Sequence, residues 1–315
     1  MQEIKRSEYT NNVFEQPWWL DIVAKDKWGE VFVQDGERIV ARMPYVLDKK
    51  VLAMPTYTQT LGIWMQDELR EYQNGNSHLR RQKEVIAELL KSLPKHKSAC
   101  ITLDSSQKYV LPFRWHGYKI EPTFSYRISD LSDVNAVMAK MSKSAKKNIK
   151  QAEKKLKIEE DSQDIDTFMR LQDLSYKRQG RKNPIDGDLT RNVIQGAFLA
   201  GCGRLMIAYG EDGVPHSGAF FLYDQNACYY LMGGQDPTYK NDGSQNLILS
   251  RAIAFAATVS KCFDFEGSMV EGIEHFFSQF GGEQVVNYRI SKQSFVRELF
   301  DVLKPRVKKL LGYKN

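Results

Sequence analysis

At 315 residues, with 42% hydrophobic and 27% charged side chains, the chain holds material for about two globular domains, since domains commonly run ~100–200 residues. The net charge of +6 is mild, and the longest apolar run, "AIAFAATV" at 252–259, falls well short of the about 20 residues that span a bilayer. Cys100, Cys202, Cys228 and Cys262 form no Cys-x-x-Cys pair and have no histidine at ligand spacing, so no metal site is expected and all four read as small buried hydrophobes.

The opening "MQEIKRSEYTNNVFEQPWW" carries acids and amides where a secretion signal needs an apolar core, so a cytoplasmic protein is expected. "PWWLDIVAKDK", 17–27, reads as a first helix with an aromatic anchor. Short β-branched runs follow to residue 55, separated by Asp35-Gly36 and Asp48-Lys49-Lys50, the pattern of a hairpin or meander. Residues 77–93 have apolar positions at 79, 86, 89, 90 and 93 and read as a helix. "SACITLD" at 98–104 is a short buried strand, and "YKIEPTFSYRISD" a strand broken by Pro122.

The character changes near residue 130. The stretch from 132 to 180 reads as three helices, Asn183-Pro184 and Asp186-Gly187 mark a loop, and 188–201 is another helix. "RLMIAYG", "VPHSGAFFLYD" and "ACYYLMGG" are three consecutive strands joined by tight turns. A helix at 243–259, the strand "CFDFE", a helix at 269–280, the strand "EQVVNYRI" and a final basic helix from about 293 complete the order. The expected fold is mixed α/β, with mostly antiparallel sheets flanked by helices, and two domains at 1–130 and 131–315.

Within "FDFEGSMVEGIEHFF", 263–277, Asp264 and Glu266 stand two apart. On a strand they share one face, with Phe263 and Phe265 on the other. Such a pair either lines a cleft as catalytic carboxylates or pairs structurally. Ser268 and Glu271, three apart, fit a capping box after the turn residue Gly267.

Residues 140–157 hold eight lysines and one acid, Glu153. Read as one helix, Met141, Ala145, Ile149, Ala152 and Leu156 form a buried stripe, opposite a face with Lys143, Lys147 and Lys150. The like-charge pairs at i,i+4 weaken such a helix by roughly 0.2–0.5 kcal/mol each. The alternatives are a solvated face and a surface for a polyanion.

The order of elements from about 165 to 290, with "YYLMGGQDPTYKNDGSQNLILSRAIAFA" leading into "FDFEGSMVEGIEHFFSQFGGEQVVNYRI", resembles the FemAB-type proteins, which join two GNAT-like acyltransferase domains in one chain. "EQPWWLDIV" resembles the first domain and "SAKKNIKQAEKK" the basic start of the second. The resemblance implies transfer of an acyl or aminoacyl group from acyl-CoA or aminoacyl-tRNA to an amine of an envelope-precursor or small-molecule acceptor. It implies donor contacts from Lys240, Gly243 and Ser244 in "KNDGSQ", which stands where the family's pyrophosphate loop opens a helix. Gly233 and Gly234 would let a donor arm approach the backbone, or mark only a strand end. Tyr230 would give a proton to the leaving group or simply pack in the sheet. Glu266 and Asp264 are the candidate bases. Lys143, Lys147, Lys150, Tyr176 and Arg178 would bind an anionic substrate or face the acceptor, while Arg178 equally suits a helix C-terminus. The competing class is a binding module that kept the GNAT fold without catalysis. A tRNA partner follows from the aminoacyl-tRNA branch, and the basic segment 304–315 is the candidate for contact with a membrane surface.

Overall fold

The computed structural model describes residues 4–70, 76–178, 180–267 and 271–293. The expected C-terminal helix and Ser268 of the capping box lie outside the described residues. The chain forms two compact units, Met1–Lys25 with Thr123–Asn287 and Asp26–Pro122 with Tyr288–Asn315. Sequence reading placed one boundary near 130 and kept the first 25 residues with the N-terminal half. Long-range packing decides otherwise. Helix α1 (Pro17–Val23) packs on a helix near residue 190, and Phe14, Trp19 and Leu20 are wholly buried.

In the unit built on 26–122, strands β1 (Trp28–Asp35) and β2 (Arg38–Asp48) form the expected hairpin, with Asp35 opposite Arg38 and Gly36 at φ +62° in the two-residue turn. Strand β3 (Val51–Leu52) pairs with β2, as does β4 (Trp64–Met65). Helix α2 (Asp67–Arg70) precedes α3 (Asn76–Ser92), whose buried residues Gln82, Val85, Ile86 and Leu89 repeat at helical spacing and pack on β1. Strand β5 (Ser98–Leu103) runs parallel to β3. It buries Ala99, Ile101 and Leu103 and turns Cys100 outward, so that cysteine is exposed rather than buried. Helix α4 (Leu111–Trp115) closes this part.

Strand β6 (Lys119–Ile128) runs straight through Pro122. Proline suits an extended backbone and lacks only a donor, and the ladder β6 makes further on uses Arg127 and Ile128. Helices α5 (Val134–Lys140) and α6 (Lys143–Ala152) are separate, because Met141 and Ser142 are extended and Ser142 Oγ accepts the Ala145 N–H at 3.0 Å as an N-cap. The single lysine helix is thus corrected: after a turn at 153–155, Leu156–Glu159 is strand β7, paired with the next strand rather than continuing the stripe. "LKIE" alternates with period two, which a spacing of four from Ala152 to Leu156 disguised.

Helices α7 (Ile165–Arg178) and α8 (Gly187–Leu199) precede the antiparallel strands β8 (Gly203–Gly210), β9 (Pro215–Tyr223) and β10 (Ala227–Gln235). Helix α9 (Ser244–Val259), strand β11 (Cys262–Asp264), helix α10 (Glu271–Phe277) and strand β12 (Glu283–Lys292) complete the chain's described elements. In the unit that holds 123–287 the strand order is β6-β11-β10-β9-β8-β7. Consecutive residues Leu205–Ala208 and Ala219–Leu222 are all buried, because both faces are covered. Phe221, Phe263 and Phe265 face a core with α5, α6, α9 and α10. On the other face Gly218 meets Phe168 and Leu171 of α7, and Phe198 of α8 stacks edge-on to Phe220. In the other unit, β12 pairs antiparallel with β5.

Candidate active site

Strand β11 is short. It runs parallel to β10 only from Ala227–Tyr229 against Cys262–Asp264, and β10 then continues to Gln235 with no strand paired on that side among the described residues. A register shift between Tyr230 and Met232 marks the same place on the β9 side. The result is a cleft of 430 Å³ along the second half of β10. Tyr230, Gly233, Gly234 and Gln235 form its floor. Lys240, Gly243, Gln245 and Asn246 come from the start of α9, Ser175 and Arg178 from the end of α7, and Ile273, Phe276 and Phe277 from α10.

The start of α9 is held against β10 by side chains. Gln245 Nε2 donates to the Gly234 carbonyl at 2.9 Å, and Gln235 Nε2 donates to the Tyr239 carbonyl at 3.2 Å and to Ser244 Oγ at 3.3 Å. Gly243 is the N-cap, at φ +81°, and a Cβ there would stand 2.8 Å from the Asn148 carbonyl of α6. Only glycine satisfies both the left-handed backbone and that close approach. Asp242, beside it in sequence, is turned away: its carboxylate accepts from the Ser244 N–H at 2.8 Å and bonds His216 Nδ1 at 2.7 Å. His216 in turn stacks flat on Tyr239 at 3.5 Å. The cleft therefore meets the positive end of a 16-residue helix with Lys240 alongside, an arrangement suited to a phosphate group.

The two glycines of β10 have different neighbours. A Cβ at Gly234 would stand 2.4 Å from the Gln172 backbone nitrogen, so this glycine admits α7 against the strand. A Cβ at Gly233 would stand 1.8 Å from the Tyr230 hydroxyl. Gly233 thus makes room for the Tyr230 ring, which also packs on Phe277 and Phe221 at 5.5 and 5.7 Å. Burial pushes the Tyr230 hydroxyl far above its ordinary range, so it stays protonated. Tyr229 points the other way, onto Phe14 at 4.8 Å.

Asp264 and Glu266 do not share a strand face. Strand β11 ends at Asp264, and Glu266 lies two residues on in the left-handed region at φ +57°, a conformation that costs a non-glycine residue free energy. Asp264 is fully buried. Its Oδ1 accepts from Ser125 Oγ at 2.5 Å and from the Glu266 N–H at 2.7 Å, and its Oδ2 from Arg127 Nε at 3.0 Å and from the same guanidinium's terminal nitrogen at 2.7 Å. It binds β6 to β11 and does not line the cleft. Glu266 Oε1 is buried with no hydrogen-bond partner among the described residues. Desolvation first, and the Asp264 charge second, raise its carboxyl well above the ordinary carboxylate value.

Six of the residues singled out from sequence, Tyr230, Gly233, Gly234, Lys240, Gly243 and Arg178, line the one cleft. Glu266, like Asp264, does not line it, Ser244 is buried, Tyr176 is half-buried outside it, and Lys143, Lys147 and Lys150 are exposed on α6. Sequence reading missed Ser175, whose hydroxyl accepts the Gln235 N–H at 2.8 Å, and the apolar wall of Ile273, Phe276 and Phe277. The helical spacing of "GIEHFF" carried that second signal. Among the described residues no group of histidines, cysteines and carboxylates is placed to hold a metal, and no helix is long and apolar enough to cross a membrane.

Residues 138–278 match the acetyltransferase (GNAT) domain family, a span that contains every residue lining the cleft. A comparison with curated proteins returned no match. Among solved structures, FemX is similar over 95% of this chain and 96% of its own, with a TM-score of 0.70 and 11% identity. The C-terminal domain of a putative lysylphosphatidylglycerol synthetase from Agrobacterium fabrum is similar over 91% and 94%, with a TM-score of 0.57 and 9% identity. L-PGS from Bacillus licheniformis is similar over 91% of each chain, at 0.54 and 10%. At these identities the structural likenesses are of fold. Residues 138–278 thus carry the match to a GNAT acetyltransferase domain, set in a chain with the fold of FemX, and the protein is an N-acyltransferase.

Proposed function

We propose that the cleft along β10 binds an activated acyl donor by its phosphate end and transfers the acyl or aminoacyl group directly to an amine. The observation that carries this reading is the edge of β10 beyond Tyr229, which pairs there with no strand among the described residues and opens beside the start of α9. Backbone N–H groups on that edge would polarise the donor carbonyl, while the first turn of α9, Lys240 and Arg178 take the phosphate. The acceptor nitrogen attacks the carbonyl carbon. A C–N bond forms, and the donor's C–S or C–O bond breaks. The ammonium proton passes to water at the open side of the cleft, and Tyr230 gives its proton to the departing thiolate or alkoxide. The tyrosinate is reprotonated from water as product leaves. Holding both substrates in one cleft supplies much of the rate.

Among donors, aminoacyl-tRNA is favoured over acyl-CoA by the position of α6. This helix packs on α9 next to Gly243 and carries Lys143, Lys147 and Lys150 exposed, a basic surface larger than a small thioester requires. One of the fold relatives is named as a lysylphosphatidylglycerol synthetase, a name that describes an aminoacyl product. The acceptor would be an amine of an envelope precursor or a small molecule. Calorimetric titration with acetyl-CoA, a longer acyl-CoA and aminoacyl-tRNA, followed by a single-turnover assay with amine acceptors, tests the reading. Saturable binding of one donor class, weakened at least tenfold by Lys240→Gln, and amide formation are expected. Binding of none refutes it, and binding without transfer leaves only a GNAT-fold binding module.

A further inference from the structure

Helix α4 is a five-residue helix with two of its apolar side chains pointed at solvent. Pro112 and Phe113 are buried, and Phe113 is fixed edge-on to Tyr118 at 6.2 Å. That anchoring leaves Leu111 and Trp115, one turn apart, 52% and 54% exposed. Lysine and arginine lie close to them in the chain, and one lysine lies against the indole in space. Lys83 of α3 holds its ammonium 4.8 Å from the centre of the Trp115 ring. Lys108, Arg114 and Lys119 are exposed on the same stretch of chain. No acid occurs between Ser105 and Ile120. Glu84, next to Lys83 in sequence, is already paired with Arg80 at 3.2 Å and Arg81 at 3.8 Å. Glu88 of α3 and Glu121 of β6 are also exposed.

We propose that this patch is a docking surface for an anionic lipid bilayer. Two large exposed apolar side chains, one of them under a lysine ammonium and both within a stretch of exposed cations, match the boundary between headgroups and acyl chains. There an indole is favoured at the headgroup level and lysine reaches the phosphates while its stem stays in apolar surroundings. A protein partner would have to desolvate the same cations. A second copy of the chain would gain too little, since a stable dimer buries about 800 Å² per partner and two half-exposed side chains supply a small part of that. The inference is independent of the acyl-transfer reading and of which donor the cleft takes.

Co-sedimentation of the full chain with vesicles of phosphatidylcholine alone, and with phosphatidylglycerol added, tests it. Binding is expected only to the anionic vesicles, weakened by salt. The double substitution Leu111→Ser with Trp115→Ser should lower partitioning by roughly tenfold or more, and Lys83→Gln with Arg114→Gln by roughly fivefold per charge. These side chains are exposed, so thermal unfolding followed by circular dichroism should be unchanged. Brominated lipid should quench tryptophan emission in the parent protein and not in Trp115→Phe. Equal binding to neutral vesicles, undiminished binding of the double variant, or loss of binding only on removal of residues 304–315 each overturns the proposal. So does a dimer in sedimentation velocity that Trp115→Ser abolishes.

Discussion

Glu266 and Asp264 show how two carboxylates two residues apart acquire opposite environments. Hydrogen bonds from Ser125, from the Glu266 N–H and from the Arg127 guanidinium hold Asp264, and removing a partner from so buried a pair costs about 3–5 kcal/mol. Glu266 has a buried oxygen without a partner among the described residues, and its proton is held more tightly in the fold than in the open chain. Its contribution to stability is therefore fully present below the unfolded value of about 4.3 and falls as pH rises through the raised folded value. Glu266→Gln should flatten that fall, so the variant gains on the parent as pH rises and the gap then levels off. Urea unfolding across pH measures this, and a constant gap from pH 4 to 8 would refute it. Tyr230→Phe should lower kcat by about a hundredfold with KM little changed, the range for loss of one proton donor. Gly233→Ala should do nearly the same, because its Cβ needs the space of the Tyr230 hydroxyl. A single-turnover assay separates both from effects on donor binding, and full activity in Tyr230→Phe would exclude it as the proton donor.

At the scale of elements, α6 and α9 carry the next prediction. Lys143, Lys147 and Lys150 sit exposed on a helix whose Asn148 carbonyl is already against Gly243. Changing all three to Gln should weaken donor binding by roughly tenfold and reduce its salt slope by about two to three, without loss of folding, since exposed charges contribute little to stability. An unchanged salt slope would assign these lysines to solvation alone. The elements of this region were largely legible from sequence. The three strands β8 to β10 stood out by their turns, and α9 by its apolar run after "NDG". Where reading failed, long-range pairing overrode a local pattern: Leu156 fits a helical stripe, but β8 offers it a ladder. Cleft residues on α9 and β10 were legible because glycines announce close backbone approach. Ser175 was not, because a serine near the end of a helix says nothing until Gln235 is beside it.

For the molecule as a whole, the first 25 residues raise the largest question of stability. Phe14, Trp18 and Trp19 are buried not in the half of the chain that follows but in the unit with the cleft, where α1 packs on α8. Phe14 and Trp19 meet edge-on at 5.5 Å, and Phe14 covers Tyr229, the neighbour of Tyr230 on β10. Polar bonds fasten the same segment: the Val13 N–H donates to Asp224 at 2.7 Å, and Asn226 Nδ2 donates to the Asn11 carbonyl at 3.0 Å. None of this could be read locally, since the partners lie some 200 positions away. Burial of a whole indole makes Trp19→Ala worth about 3–5 kcal/mol, a large share of the 5–15 kcal/mol that typically separates folded from unfolded. The loss should be confined to one unit. Hydrogen exchange should show amides of β8, β9 and β10 losing protection while the β1–β2 hairpin keeps its own. Donor binding should weaken in step, because β10 is the cleft floor. Equal loss of protection in the hairpin would mean that residues 1–25 stabilise the chain as one cooperative body, and the division of the fold into two units would have no energetic counterpart.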